Sequence, residues 1–135
     1  MKTHLLRTSI LAVVAIVAVH AQTLNFKVKV PFDFIVGGQT LPAGQYSVDV
    51  RTVSGVVTIN CVDQKGAAGT IGLPLSAVGA QNEEKLVFHR YGDTYFLAQV
   101  WAGGSYGRKL PTTNREHELA AKRLDPDNIT VVASR

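Results

Sequence analysis

The segment Leu24–Val36, which reads LNFKVKVPFDFIV, sets the class of fold. Its odd and even positions differ: the side chains at every second residue from Leu24 are apolar, and of the intervening residues only Ile35 breaks the polar set. A period of two indicates an extended chain with one face buried and the other in water. Because Pro31 cannot donate to a neighbouring strand, the segment is an edge strand or two strands joined at a bend.

The same pattern continues along the chain in shorter pieces separated by turn residues. Gly37-Gly38 and the sequence LPAG at 41–44 read as turns, and Tyr91-Gly92-Asp93-Thr94 is a hairpin signal. In the piece 70–75, Ile71, Leu73 and Leu75 share one parity. Further strands are predicted at 46–51, 56–62, 70–75, 86–90, 95–101 and 129–133.

One segment near the end of the chain predicts a helix instead. Thr113 and Glu116 have the spacing of a capping box, in which each side chain bonds the other residue's backbone N–H. Asp125-Pro126 ends the segment. The helix would pack on the sheets through one stripe, which consists of His117, Ala120, Ala121 and Leu124.

These signals together predict a mainly β fold. We expect a small antiparallel β-sandwich or flattened barrel of about seven or eight strands, with one short C-terminal helix at about 113–124.

The first 21 residues have the features of a cleavable secretory signal. Lys2 and Arg7 are followed by an uninterrupted apolar run at 10–19, and Val19-His20-Ala21 fits a signal peptidase site. The run is too short for a membrane-spanning helix, which needs about 20 residues. We therefore expect an exported protein, periplasmic or secreted, whose mature chain is a single β-sandwich domain at 22–135 without a transmembrane segment.

Charge and composition exclude other classes. The whole chain carries 14 basic and 10 acidic residues, and removal of Lys2 and Arg7 lowers the net charge from +4 to +2. The remaining basic residues are scattered, whereas a nucleic-acid-binding protein shows a basic face or stripe. A nucleic-acid partner is therefore not expected, and one cysteine excludes a disulfide scaffold.

Motifs for catalysis or metal binding are incomplete. Gly103-Gly104-Ser105-Tyr106-Gly107 matches the G-x-S-x-G nucleophile elbow, but no helix follows directly, and His117 precedes Asp125 instead of following it. His117-Glu118 lacks the second histidine of a zinc motif. On its strand His89 reads as a half-buried structural histidine. We predict no enzyme activity, no catalytic residue, no metal and no cofactor.

The aromatic side chains beside turns are the best candidates for contacts with a ligand or partner. They are Trp101 and Tyr106 at one loop and Tyr91 and Tyr95 at the other. Flat rings at loop tips stack on sugars or anchor a protein partner, and the alternative is that they fill the open ends of the sandwich. Cys61 shares parity with buried positions and is either a small buried hydrophobe or a bridge between two chains.

Several stretches together resemble one family: Val30–Gly37 (VPFDFIVG), Leu41–Val48 (LPAGQYSV), Tyr95–Trp101, Gly107–Pro111 (GRKLP) and Arg115–Ala120 (REHELA). The family is one of small, uncharacterised exported β-sandwich proteins that are common in acidobacterial genomes. The resemblance implies a bacterial, extracytoplasmic protein and implies no activity.

The sequence therefore predicts an exported non-enzymatic β-sandwich with a binding or structural role in the cell envelope or outside the cell. Its partner would be a protein or a glycan. The alternative is a self-assembling subunit, a homo-oligomer in which the strand at 24–36 completes the sheet of a neighbouring copy. A small hydrolase using Ser105 or His117 is the third hypothesis.

Overall fold

Two β-sheets face each other in the computed structural model, which describes residues 23–63, 65–75, 83–103, 106–122 and 125–133. A short helix lies against one of them. The strands are β1 (Thr23–Val30), β2 (Phe34–Val36), β3 (Gln39–Leu41), β4 (Gly44–Arg51), β5 (Val56–Cys61), β6 (Ala67–Ile71), β7 (Leu73–Leu75), β8 (Glu84–Tyr91), β9 (Thr94–Ala102), β10 (Gly107–Lys109) and β11 (Asp127–Val132), and the helix is α1 (Asn114–Ala121).

The first sheet has the antiparallel order β1-β4-β5-β6, and the second has the order β11-β8-β9-β10-β7. Strand β2 pairs with β3 and joins the second sheet through a parallel bridge from Ile35 to Phe96. The prediction of a β-sandwich with one short helix is confirmed. The described residues form more strands than expected because the sheets also include strands of only three residues, namely β2, β3, β7 and β10.

The core lies between the two sheets and follows the alternation of the sequence. In β1, Phe26, Val28 and Val30 are buried, while Lys27 and Lys29 between them are exposed. Full burial of one such side chain contributes about 1.5–3 kcal/mol. The largest fully buried side chains are Tyr46, Phe34, Phe88, Phe96, Ile59 and Leu86.

Pro31 lies where the chain passes from the first sheet to the second. Strand β1 ends at Val30 at the edge of its sheet, and β2 begins at Phe34. Phe32, inside the bend, stacks on Tyr95 with ring centroids 3.8 Å apart. The segment is therefore both an edge strand and two strands joined at a bend.

The turn before β4 is a tyrosine corner. The Tyr46 hydroxyl donates to the carbonyl of Pro42, and the backbone N–H of Ala43 donates to Asp33 Oδ1 at 2.8 Å. Burial raises the pKa of Tyr46 to about 12, and neighbouring Cys61 adds to the increase. The sequence LPAGQY is thus accounted for by the structure of a corner.

A β-bulge in β9 changes which side chains face the core. The pairing with β8 moves from Val87–Gln99 to Phe88–Leu97, so that Ala98 has no partner across the ladder. Leu97 packs in the main core, whereas Phe96 belongs to a second cluster with Ile35 and Tyr91 beneath α1.

Helix α1 packs on the outer face of the second sheet through a stripe different from the predicted one. Glu116 is buried and Leu119 packs on the second cluster, whereas His117, Ala120 and Ala121 are exposed. Leu124 lies outside the described residues. The predicted stripe was wrong because Leu119 packs on the apolar cluster of the sheet, while hydrogen bonds from His89 and Tyr91 offset the cost of burying the Glu116 carboxylate on the same face. No helix in the described part of the chain is long and apolar enough to cross a membrane.

Candidate functional site

The four aromatic candidates lie at opposite ends of the sandwich. Trp101 is buried over Gly107, where an added Cβ would lie 2.5 Å from the indole ring. Tyr91 is buried beneath α1, and half-buried Tyr95 stacks on Phe32. Tyr106 is exposed. Three of the four rings are therefore packed against other parts of the fold. Contact with a ligand or partner stays a prediction, and exposed Tyr106 is the candidate most accessible for it.

The other sequence candidates are not brought together. His117 is exposed on α1, Ser105 lies outside the described residues, and Cys61 is a free, half-buried thiol. Asp127 forms a 2.6 Å ion pair with Arg90. The described residues contain no group of three side chains that could hold a metal ion.

A cluster that sequence reasoning missed joins α1 to the second sheet. His89 Nδ1 lies 2.7 Å from Glu116 Oε1, to which it donates in the corresponding tautomer, and the Tyr91 hydroxyl donates to the same oxygen at 3.2 Å. Burial and the adjacent carboxylate both raise the pKa of Tyr91. Thr113 Oγ1 accepts from the backbone N–H of Glu116 as predicted. The Glu116 side chain, however, bonds the sheet, so only half of the expected capping box forms.

A carboxylate that holds one imidazole nitrogen is the arrangement by which enzymes orient a histidine base and by which metal sites orient a histidine ligand. Among the described residues, no hydroxyl or thiol hydrogen-bonds to His89, and no metal-ligand group includes it. The contact made by the three side chains joins α1 to the second sheet. It holds a helix of eight residues, which would be marginal alone, against the sheet.

Next to this cluster, two adjoining depressions form one groove at the end of the sandwich that carries the β2–β3 turn. The larger depression, of about 370 Å³, lies between Gly37-Gly38 and the first residues of α1. The smaller one, of about 170 Å³, extends to the β8–β9 turn at Asp93. Ile35, Thr40 and Arg115 line both depressions, and we call the whole the Arg115 groove.

Charged side chains of both signs line the Arg115 groove. Asp33, Asp93 and Arg115 all border the smaller depression. Asp33 accepts from the backbone N–H of Ala43, but no ion pair of the described chain includes any of the three residues. The guanidinium of Arg115 is a fixed positive charge with several donors, which suits a carboxylate or another anionic group. The two aspartates suit a donor such as a hydroxyl or an amine.

The Arg115 groove could not be found from the sequence because its residues come from three distant segments. Asp33 precedes β2 and Thr40 lies in β3, Asp93 lies in a hairpin turn, and Arg115 is the second residue of the helix. The sequence does mark each segment separately, through Gly37-Gly38, the hairpin signal and the helix cap. The parallel bridge between β2 and β9 brings the first two segments together, and the contact of Glu116 with His89 and Tyr91 holds the helix beside them.

Comparison with protein-family models, with curated proteins and with solved structures gives no match for this chain. The geometry described above is therefore the basis for assigning a function.

Proposed function

We propose that this chain is an exported, non-enzymatic β-sandwich whose role is binding, and that the Arg115 groove is where it contacts its ligand. Its periplasmic or secreted location is supported by the signal-like first 21 residues. The family resemblance of the corner, strand and helix segments supports a bacterial, extracytoplasmic protein.

The observation that carries the binding role is the position of Arg115. It lines both depressions of a groove whose total size suits a small ligand or the end of a larger one. Because Arg115 forms no ion pair with the other described residues, it is available to a ligand without first breaking such a contact in the protein. The expected ligand carries an anionic group for Arg115 and hydroxyl or amine donors for Asp33 and Asp93, as glycans with acidic sugars and peptide termini do.

A binding assay with matched variants tests this proposal. We would screen acidic monosaccharides, acidic oligosaccharides and short peptides against the exported chain by thermal shift and measure the affinity of each positive probe by calorimetry. We expect Arg115→Ala to weaken binding by about tenfold to a hundredfold, because a hydrogen bond to a charged group contributes about 1.5–3 kcal/mol.

The control is Lys122→Ala, which removes a positive charge from the other end of the same helix, outside the groove. This variant is expected to bind within about twofold of the unmodified protein. Equal effects of the two substitutions would contradict a site at Arg115.

Self-assembly through the strand at 24–36 is the alternative proposal, favoured by the position of β1 at the edge of the first sheet. Strand β1 pairs with β4 along its full length, and its buried face is part of the core of its own chain. A copy that donated β1 would therefore have to replace these contacts by exchange. Light scattering over a concentration series tests this: growth into long species supports assembly, and a constant monomer mass excludes it.

A further inference from the structure

Four large apolar side chains are exposed at the end of the sandwich opposite the Arg115 groove. Val53 in the β4–β5 turn is 74% exposed, Leu73 is 67%, Ile71 is 64% and Tyr106 is 39% exposed. Ile71 and Leu73 flank Gly72, the link between β6 and β7. The sequence placed them in one strand at 70–75, but the chain changes sheet at Gly72. Both side chains are thereby left in solvent.

Hydrogen bonds tie the segments that carry these side chains into one surface. The backbone N–H of Gly72 donates to Gly55 O at 2.9 Å, and the Tyr106 hydroxyl donates to Thr52 O at 3.2 Å. Arg108 joins the same segments, donating from Nη2 to Thr52 O at 2.8 Å and from Nη1 to Gly72 O at 3.3 Å. We call this surface, formed by Val53, Ile71, Leu73 and Tyr106 around Arg108, the Arg108 end.

The Arg108 end is positively charged. Arg108 is only 8% exposed, its hydrogen bonds go to neutral carbonyls, and its buried Nε has no hydrogen-bond partner among the described residues. Arg51 and Lys109, which are exposed, lie at the ends of β4 and β10. The acids Glu83 and Glu84 lie at the start of β8, which β9 and β10 separate from β7 and Leu73.

Two observations favour a flat partner over an added peptide strand. Strand β7 is the last strand of its sheet, but Pro74 at its centre cannot donate a hydrogen bond to a further strand. In addition, Thr23 pairs with Arg51, so the chain enters the sandwich at the Arg108 end. An export signal at 1–21 would therefore hold this end next to the membrane until the signal is cleaved.

We propose that the Arg108 end docks on the surface of a bilayer that contains anionic phospholipid. Val53, Ile71 and Leu73 enter the interface, while Arg51 and Lys109 lie at the level of the phosphate groups. Exposed apolar side chains within a basic surface are the combination that binds peripheral proteins to such membranes. Docking at this end directs the Arg115 groove away from the membrane, so the inference goes beyond the binding role proposed above.

Vesicle flotation tests this inference. The exported chain, with its first residue read by mass spectrometry, is mixed with vesicles of phosphatidylglycerol and phosphatidylcholine or of phosphatidylcholine alone. We expect flotation with the anionic vesicles, at least about tenfold weaker partition into the neutral ones, and release by high salt.

Substitutions at exposed positions locate the contact. Val53→Asp and Leu73→Asp are each expected to lower the partition at least about tenfold, since each removes apolar burial and adds a negative charge at the lipid surface. The matched control is Val62→Asp, an exposed valine after β5 at the groove end, and it is expected to change the partition less than about twofold.

Three results would overturn the inference: no flotation with anionic vesicles, equal losses of partition for Val53→Asp and Val62→Asp, or unchanged flotation of both Val53→Asp and Leu73→Asp. If Val53→Asp and Leu73→Asp abolished self-association in light scattering while vesicle binding was unaffected, the Arg108 end would contact a second copy and not a membrane. Circular dichroism melts of all three variants show that each is folded under the assay conditions.

Discussion

Replacement of Tyr46 with Phe keeps a fully buried ring and removes one hydroxyl, the one that donates to Pro42 in the tyrosine corner. At neutral pH we expect the substitution to lower the free energy of unfolding by about 1 kcal/mol, the usual net contribution of such a hydrogen bond. The corner also supports the Arg115 groove, because Asp33 bonds the neighbouring Ala43.

The pH dependence of this effect has a definite sign. Burial raises the pKa of Tyr46 from 10.0 to about 12, so the folded chain holds the phenolic proton more tightly than the unfolded chain does. The resulting stability is fully present below pH 10 and is lost as the pH rises through 12. For these two pKa values the loss at pH 11 is about 1 kcal/mol.

The assay is urea unfolding followed by the fluorescence of Trp101, the only tryptophan, at pH 7 and pH 11. The advantage of about 1 kcal/mol that the unmodified chain has over Tyr46→Phe at pH 7 should disappear by pH 11. Tyr106→Phe is the control, because it removes an exposed hydroxyl that also donates to a carbonyl. An advantage of the unmodified chain over Tyr46→Phe that is the same at both pH values would refute the reasoning.

Two further substitutions test the packing of the outer face. Glu116→Ala should lower the free energy of unfolding by about 2 kcal/mol, because it leaves two donors of the sheet without their acceptor. Glu118→Ala on the exposed face should change it by less than about 0.5 kcal/mol. Urea unfolding of both variants measures these effects, and equal effects would argue against the buried contact. Gly107→Ala should lower the free energy of unfolding by about 1–3 kcal/mol and shift the fluorescence emission of Trp101, since the added methyl group overlaps the indole ring. The control is Gly44→Ala, where the methyl group has open space and should leave the emission unchanged. Unaltered emission of the Gly107 variant would show that the indole ring does not lie over Gly107.

The sequence predicted those features of the fold that depend on residues within a single strand, turn or helix end. The alternation in β1 fixes its buried face, Pro31 produces the bend into the second sheet, and Thr113 caps the helix as expected. These features depend on residues that are close in sequence, and the physical rules that govern them are local.

Other features depend on neighbours that the sequence does not reveal. The bulge at Ala98 breaks the period of two in β9 and sends Phe96 to the outer face, which no local pattern indicates. Glu116 has the spacing of a cap residue, but its side chain bonds His89 and Tyr91 across the helix–sheet contact instead. The Arg115 groove forms only when the folded sheets bring distant segments of the chain together, and no local sequence pattern predicts which strands are neighbours.

The most direct test of the proposed function is a map of ligand contacts from the ¹H–¹⁵N amide spectrum of the exported chain, recorded with and without acidic oligosaccharides and short peptides. A binding role at the Arg115 groove predicts that at least one probe shifts the amide signals of Gly37, Gly38 and Arg115 and leaves those of Gly55 and Gly72 at the opposite end in place. Shifts confined to the opposite end, or no shift at the groove with any probe, would contradict it.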